Sequence, residues 1–118
     1  MLTLGRGGRV FLVAGPTDMR KSFDGLSGVV RSALHDDPQS GDLFVFSNRL
    51  RNRLKILYVD ESGMWVCAKR LERGTFQWPS ASTLDRRVEM RSEQLALLLG
   101  GLDAKELKPR AWKRRAVS

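Results

Sequence analysis

Cysteine and histidine each occur once, as Cys67 and His35. A single cysteine excludes an intramolecular disulfide, and one residue of each type excludes a metal centre built from Cys and His ligands. Long apolar runs are missing too. None exceeds five residues, the length of Val10 to Ala14 and of Leu95 to Leu99, against about 20 needed to cross a bilayer. No membrane span and no membrane partner are expected. The apolar stretch after Arg6 and Arg9 is too short for the core of a secretory signal and runs into Gly15-Pro16, which points to a cytoplasmic protein. Repeats and low-complexity tracts are also lacking.

A chain of 118 residues with 42% hydrophobic and 29% charged side chains is apolar enough to fold and long enough for one core, without room for a second ordinary domain. Residues 1–103 read as a single basic α+β domain and residues 104–118 as a basic, flexible tail, because the tail has no helical or strand period.

Acidic charge is in short supply. The formal net charge is +8, from 21 basic and 13 acidic residues. Residues 1–48 are balanced at five of each sign, whereas residues 49–73 hold seven basic and three acidic, and residues 104–118 six and one. A surplus concentrated in this way suits a polyanionic partner, since each Lys or Arg placed at a phosphate releases counterions.

Arg9 to Val13 is β-prone and is stopped by Gly15-Pro16. A helix is predicted over residues 18–34, capped by Thr17, with Met19, Phe23, Leu26 and Val30 as its buried face. The pattern then changes to four consecutive strands: Leu43 to Phe46, Leu54 to Val59, Met64 to Leu71 and Thr75 to Trp78. Asp60-Glu61-Ser62-Gly63 suits a type I turn. Short links favour antiparallel pairing, so the fold class is α+β with a mostly antiparallel meander sheet. Strands apolar on both faces must either curl into a partial barrel or be covered twice. The two covering helices would be residues 18–34 and a second from Ser92, as N-cap, to Leu99, ended by Gly100-Gly101.

In such a meander the first and third connections lie at one end of the sheet. The first carries Arg49, Arg51 and Arg53; the third carries Arg73 and is preceded by Lys69 and Arg70. Lys55 shares a strand face with Arg53. Arg49, Arg51, Arg53, Lys55, Lys69, Arg70 and Arg73 are therefore the candidate nucleic-acid-binding residues, with Asp60 and Glu61 at the opposite end and Arg86 and Arg87 away from the patch. Trp65 and Phe76 read as core, and Trp78, beside Pro79, as the aromatic best placed for exposure.

Gly15-Pro16-Thr17-Asp18-Met19-Arg20-Lys21-Ser22 nearly matches a phosphate-binding loop, but Arg20 stands where that motif needs its second glycine and Asp18 puts a negative charge inside it. The parallel α/β setting of such loops is also not expected here. Arg20 and Lys21 remain candidate anion-binding residues at a helix start. Asp18, Asp24, Asp60 and Glu61 form no recognisable two-metal carboxylate set. No catalytic residue, metal ligand or cofactor is assigned. Cys67 reads as a small core residue and His35 as a partner for the carbonyls of a helix end.

The segments Arg9-Val10-Phe11-Leu12, Gly15 to Leu26, Leu43-Phe44-Val45-Phe46, Arg53 to Leu57, Ala68 to Pro79 and Gln94 to Asp103 together resemble the TnpB accessory proteins (Orf2-like) of insertion sequences of the IS-sixty-six type. The resemblance covers residues 9–103. It implies a non-catalytic accessory role in DNA transposition beside a separate, larger element-encoded transposase. DNA, with no sequence preference assigned, and that transposase are thus the expected partners, and a homo-oligomer stays open. The rival reading is a protein-only adaptor that binds the transposase through a sheet edge or the Leu95 to Leu99 helix.

Overall fold

The computed structural model describes residues 8–80 and 86–100; the tail 104–118 lies outside them. Seven elements follow in order: β1 (Val10–Pro16), α1 (Phe23–Ser32), β2 (Leu43–Ser47), β3 (Arg53–Val59), β4 (Met64–Arg70), β5 (Arg87–Met90) and α2 (Ser92–Leu99). The strands form one open sheet in the order β4-β3-β2-β1-β5. It is mostly antiparallel and does not close into a barrel, and with its two helices the fold is α+β.

β1 and β2 lie at the centre and are parallel, with Val10 opposite Leu43 and Leu12 opposite Val45. Parallel neighbours need a crossover, and α1 supplies it, so β1-α1-β2 is a βαβ unit inside the otherwise antiparallel sheet. The expected meander is correct for β2, β3 and β4, and β1, which that meander did not place, joins it parallel to β2. The parallel setting thought to be missing from the Gly15 loop is present.

Alternation along the strands divides the core in two. Phe11, Val13, Phe44, Phe46 and Leu57 pack on one face with Leu26, Val30 and Leu34 of α1 and the residues after it. Val10, Leu12, Leu43, Val45, Leu54, Ile56 and Tyr58 pack on the other face with Leu95 and Leu98 of α2 and with Phe76 and Trp78. Both faces are covered, as strands of this composition require.

Three local expectations change. The helix begins at Phe23 rather than residue 18, because Asp18 ends the extended chain with its own turn: its carboxylate accepts the Arg20 amide at 2.9 Å and its carbonyl accepts the Lys21 amide at 3.1 Å. Donors bonded this way are not available to a helix starting at Thr17. Phe23 consequently sits half exposed at the helix start, while Leu26 and Val30 are fully buried. The helix ends at Ser32 with Ala33 as C-cap, and His35 beyond it takes the left-handed conformation at φ 54° and is exposed. In α2 the N-cap is Arg91, one residue before Ser92, and its amide donates to Gln94 Oε1 at 2.8 Å.

Thr75 to Trp78 is not a strand. The Leu71 amide donates to the Asn52 carbonyl and the Phe76 amide to the Arg51 carbonyl, which turns the chain under the sheet instead of alongside β4. The period of two survives, with Phe76 and Trp78 buried and Thr75 and Gln77 exposed, but it serves a plug over the α2 face. The Trp78 indole donates to the Val13 carbonyl at 2.9 Å and the ring is 7% exposed. Trp78 is therefore core, and Trp65, at 54%, is the exposed tryptophan among the described residues. The place of a fifth strand goes to Arg87–Met90, antiparallel to β1 on the far edge. Cys67 is half-buried at the margin of the α2-face core.

Trp78 fills its site with a bonded indole, so Trp78→Ala should lower unfolding free energy by about 3–5 kcal/mol, the usual cost of emptying a large aromatic site. Denaturant titration checks this; a loss below about 1 kcal/mol would place Trp78 outside the core.

Candidate nucleic-acid interface

Because β1 and β2 run the same way and β3 returns, Pro16, Ser47, Arg53 and Arg70 share one end of the sheet: Pro16 pairs with Ser47 and Arg53 with Arg70. The loop after β1, the 48–52 connection and the segment after β4 all leave from this end. The opposite end holds Asp42, buried and paired with Arg9 at 3.2 Å, and the turn of Asp60 and Glu61. The charge polarity expected from a meander is present. It is extended by the Gly15 to Lys21 loop, which the parallel pair brings to the same end.

The 48–52 connection is built on Asn48. Its Oδ1 accepts the amides of Asn52 and Arg53, both at 3.1 Å, and its Nδ2 donates to Asn52 Oδ1 at 2.8 Å. Ser47 Oγ donates to the Arg53 carbonyl at 2.8 Å. These bonds hold Arg49, Leu50 and Arg51 outward, Leu50 being 69% exposed. Arg51 has φ 59°, the left-handed region that costs an ordinary residue about 1–2 kcal/mol. Arg49 and Arg51 border a cavity of about 150 Å³ whose other walls are Gly15-Pro16 and Trp78-Pro79-Ser80. Gly15 turns the chain there at φ 80°, and its amide donates to the Pro79 carbonyl at 3.1 Å.

The remaining candidates divide between the two faces. Residues opposite one another on antiparallel strands share a face. Arg53 and Arg70, with Lys55 and Ala68 next along, therefore lie on the α1 face, while Lys69, opposite Leu54, lies on the α2 face. A shallow groove of about 490 Å³ runs past Met19, Arg53, Lys55, Lys69, Arg70 and Glu72. Two of these cations have structural duties. Lys55 Nζ donates to the Lys21 carbonyl at 2.7 Å, tying the loop after β1 to β3. Lys69 Nζ donates to the Leu99 carbonyl at the end of α2, where a cation meets the negative end of the helix. Arg70 lies 3.8 Å from Glu72, both exposed, a weak pairing in solvent. Arg73 is exposed.

In the loop, Arg20 is held by Asp18 through bonds of 2.8 to 3.1 Å. The Arg20 hydrogen bonds hold the Asp18 carboxyl down at about 2, and Asp18 raises Arg20 in turn. The Thr17 amide is also engaged, with the Ser47 carbonyl at 2.7 Å. Three amides that a phosphate-cradling loop would present are thus already bonded, and the loop differs from that motif in geometry as well as sequence. Among the described residues no group of three or more His, Cys, Asp or Glu could hold a metal ion.

Arg86 and Arg87 are not remote from the basic end. Arg87 pairs with Val13, and the Arg86 carbonyl accepts the Ala14 amide at 2.7 Å. Arg87 also pairs with Asp36 and lies over the Phe11 ring, 4.8 Å from its centroid. It is part of the fold. The misplacement follows from the strand that sequence reading missed.

Two outcomes follow from this geometry. Arg51→Gly should raise stability by up to about 1 kcal/mol, whereas the β-branched Arg51→Val should lower it by about 1–2 kcal/mol; thermal unfolding of both reads the sign. Second, since the folded carboxyl of Asp18 is depressed to about 2 from 3.8, it should stay ionised through pH 3. The Asp18 turn keeps its contribution above the ordinary value and loses it as pH falls through 2. In Arg20→Ala the NMR titration midpoint of Asp18 should return toward 3.8.

Comparison with known proteins adds what geometry leaves open. Residues 8–109 match the family model described as IS66 Orf2-like protein. Two proteins of Sinorhizobium fredii (strain NBRC 101917 / NGR234) are similar throughout. Uncharacterized protein y4jC is 39% identical over 114 residues, 97% of this chain and 96% of that protein. Uncharacterized protein y4hO is 40% identical over 103 residues, 87% and 88% respectively. No solved structure matches. The chain belongs to the IS66 Orf2-like family of proteins associated with the transposition of insertion sequences.

Proposed function

We propose that this transposition-associated protein is a non-catalytic accessory factor that contacts DNA phosphates through the basic end of its sheet and acts beside a separate transposase in the cytoplasm. One observation carries the reading: the 48–52 connection and the segment after β4, with Arg49, Arg51, Arg53, Arg70 and Arg73 on them or at the strand ends they join, leave the sheet at a single end with the Lys21 loop beside them, and the carboxylates of Asp42, Asp60 and Glu61 lie at the other. A polyanion is drawn to such a pole whatever its sequence. Arg49 and Arg51 project from a pinned loop and would meet the backbone first. Arg53 and Arg70 would follow it along the α1 face. Lys55, Lys69 and Arg20, already bonded within the chain, contribute field more than contact. The bonded amides of the loop after β1 argue against a nucleotide phosphate site there.

The test is a salt titration on one duplex. Arg51→Ala/Arg70→Ala should weaken binding alike for all sequences and lower the slope of log affinity against log salt by about 0.9 per lost phosphate contact. The reference is Arg31→Ala/Arg91→Ala, since both residues are exposed, Arg31 at the far end of α1 and Arg91 beyond Met90, which pairs with Val10. Equal losses would make binding diffuse; no loss in either would favour the protein-only adaptor, with transposase binding then measured directly.

A further inference from the structure

β4 is an edge strand, with β3 on one side and nothing paired to the other among the described residues. The two ladder ends show which of its groups point outward. The Asp60 amide donates to the Gly63 carbonyl, and the Leu71 amide donates to the Asn52 carbonyl. Residues 63 and 71 therefore exchange bonds with β3, and by antiparallel alternation so do 65, 67 and 69. The amides and carbonyls of Met64, Val66, Ala68 and Arg70 face away. Seven residues is long for an unprotected edge, and Trp65 stands exposed beside it.

We propose that two copies of this chain pair through the outer edges of their β4 strands, antiparallel and centred on Cys67, to make one continuous sheet from both five-stranded halves. The charge pattern selects this occupant. Along the β4 edge the Asp60-Glu61 turn is acidic and the Arg70 to Arg73 end is basic. A two-fold axis through the middle of Met64–Arg70 lays each acidic turn against the basic end of the other copy, with Glu61 opposite Arg73. The same register uses the whole strand. Val66 meets Ala68 and Met64 meets Arg70 as hydrogen-bonded pairs, and Cys67 meets Cys67 of the second copy as a non-hydrogen-bonded pair. Trp65 then lies opposite Lys69 of the second copy on the α2 face, an indole beside a cationic side chain. A two-fold pairing of identical edges closes on itself and does not propagate. The inference does not depend on DNA binding; its consequence is a dimer with two basic poles facing opposite ways.

Sedimentation equilibrium of the full chain tests it. The wild type should be a dimer, and a short bismaleimide should join the two Cys67 side chains. Ala68→Pro removes an amide that points away from β3, a position where an edge strand tolerates proline. It should raise the dimer dissociation constant about tenfold or more with an unchanged circular dichroism spectrum. Glu61→Arg and Arg73→Glu should each weaken the dimer, and the two together should restore it, a rescue that does not depend on the proline variant folding. A monomer at all concentrations overturns the proposal, as does a dimer indifferent to Ala68→Pro and to the charge reversals. A monomer with Val66 and Ala68 amides protected from hydrogen exchange also overturns it and assigns the edge to the chain's own residues 101–118.

Discussion

The parallel pairing of β1 with β2 is the constraint on which the other elements depend. Both strands are buried on both faces, from Val10 to Gly15 and from Leu43 to Ser47, so neither can lie at an edge or face solvent. Parallel neighbours cannot be joined by a tight turn, which makes α1 the crossover and commits it to one face. The second face then needs its own cover, and α2 and the Phe76-Trp78 plug provide it. Buried Asp42 helps to set the start of the pair: it accepts the Arg9 amide at 3.3 Å and is paired with the Arg9 side chain, while the Leu43 amide donates to the Arg9 carbonyl.

The same pairing builds the basic pole. An all-antiparallel sheet would have put Gly15 to Lys21 on whichever end its order dictated. With β1 and β2 aligned, the loop after β1 and the loop after β2 emerge side by side, and the Thr17 amide donates to the Ser47 carbonyl. Basic side chains separated by tens of residues in the chain thereby share one surface. Local chemistry then decides which of them is available. Asp18 engages Arg20, Lys55 and Lys69 donate to backbone carbonyls, and the Asn48 network leaves Arg49 and Arg51 projecting.

Asp18 and Asp60 do similar work at opposite poles. Each accepts backbone and side-chain donors at a turn, and each is held below the usual carboxylate range, Asp18 by Arg20 and Asp60 first by the Trp65 indole and then by the Ser62 and Gly63 amides. At Asp18 this delays a helix. At Asp60 it shapes the hairpin that begins β4 and holds the Trp65 ring at the exposed edge, through an indole bond of 2.9 Å.

Residue pattern alone determined the apolar strands, read at 9–13, 43–46, 54–59 and 64–71, the α2 segment, the turn at Asp60 to Gly63 and the placing of two Arg-rich connections at one end. These are local matters of period, turn chemistry and link length, and the family was legible in the order of the same segments. Tertiary structure decided what pattern could not. Thr75 to Trp78 alternates like a strand, but the carbonyls of Arg51 and Asn52 turn it into a core plug. Arg87 to Met90 has too few apolar residues to declare a strand, yet β1 had an open edge and took it. Pairing partners set both outcomes, along with the side of the sheet on which Lys69 and Arg70 part company, because hydrogen-bond complementarity between distant segments leaves no mark in the local sequence.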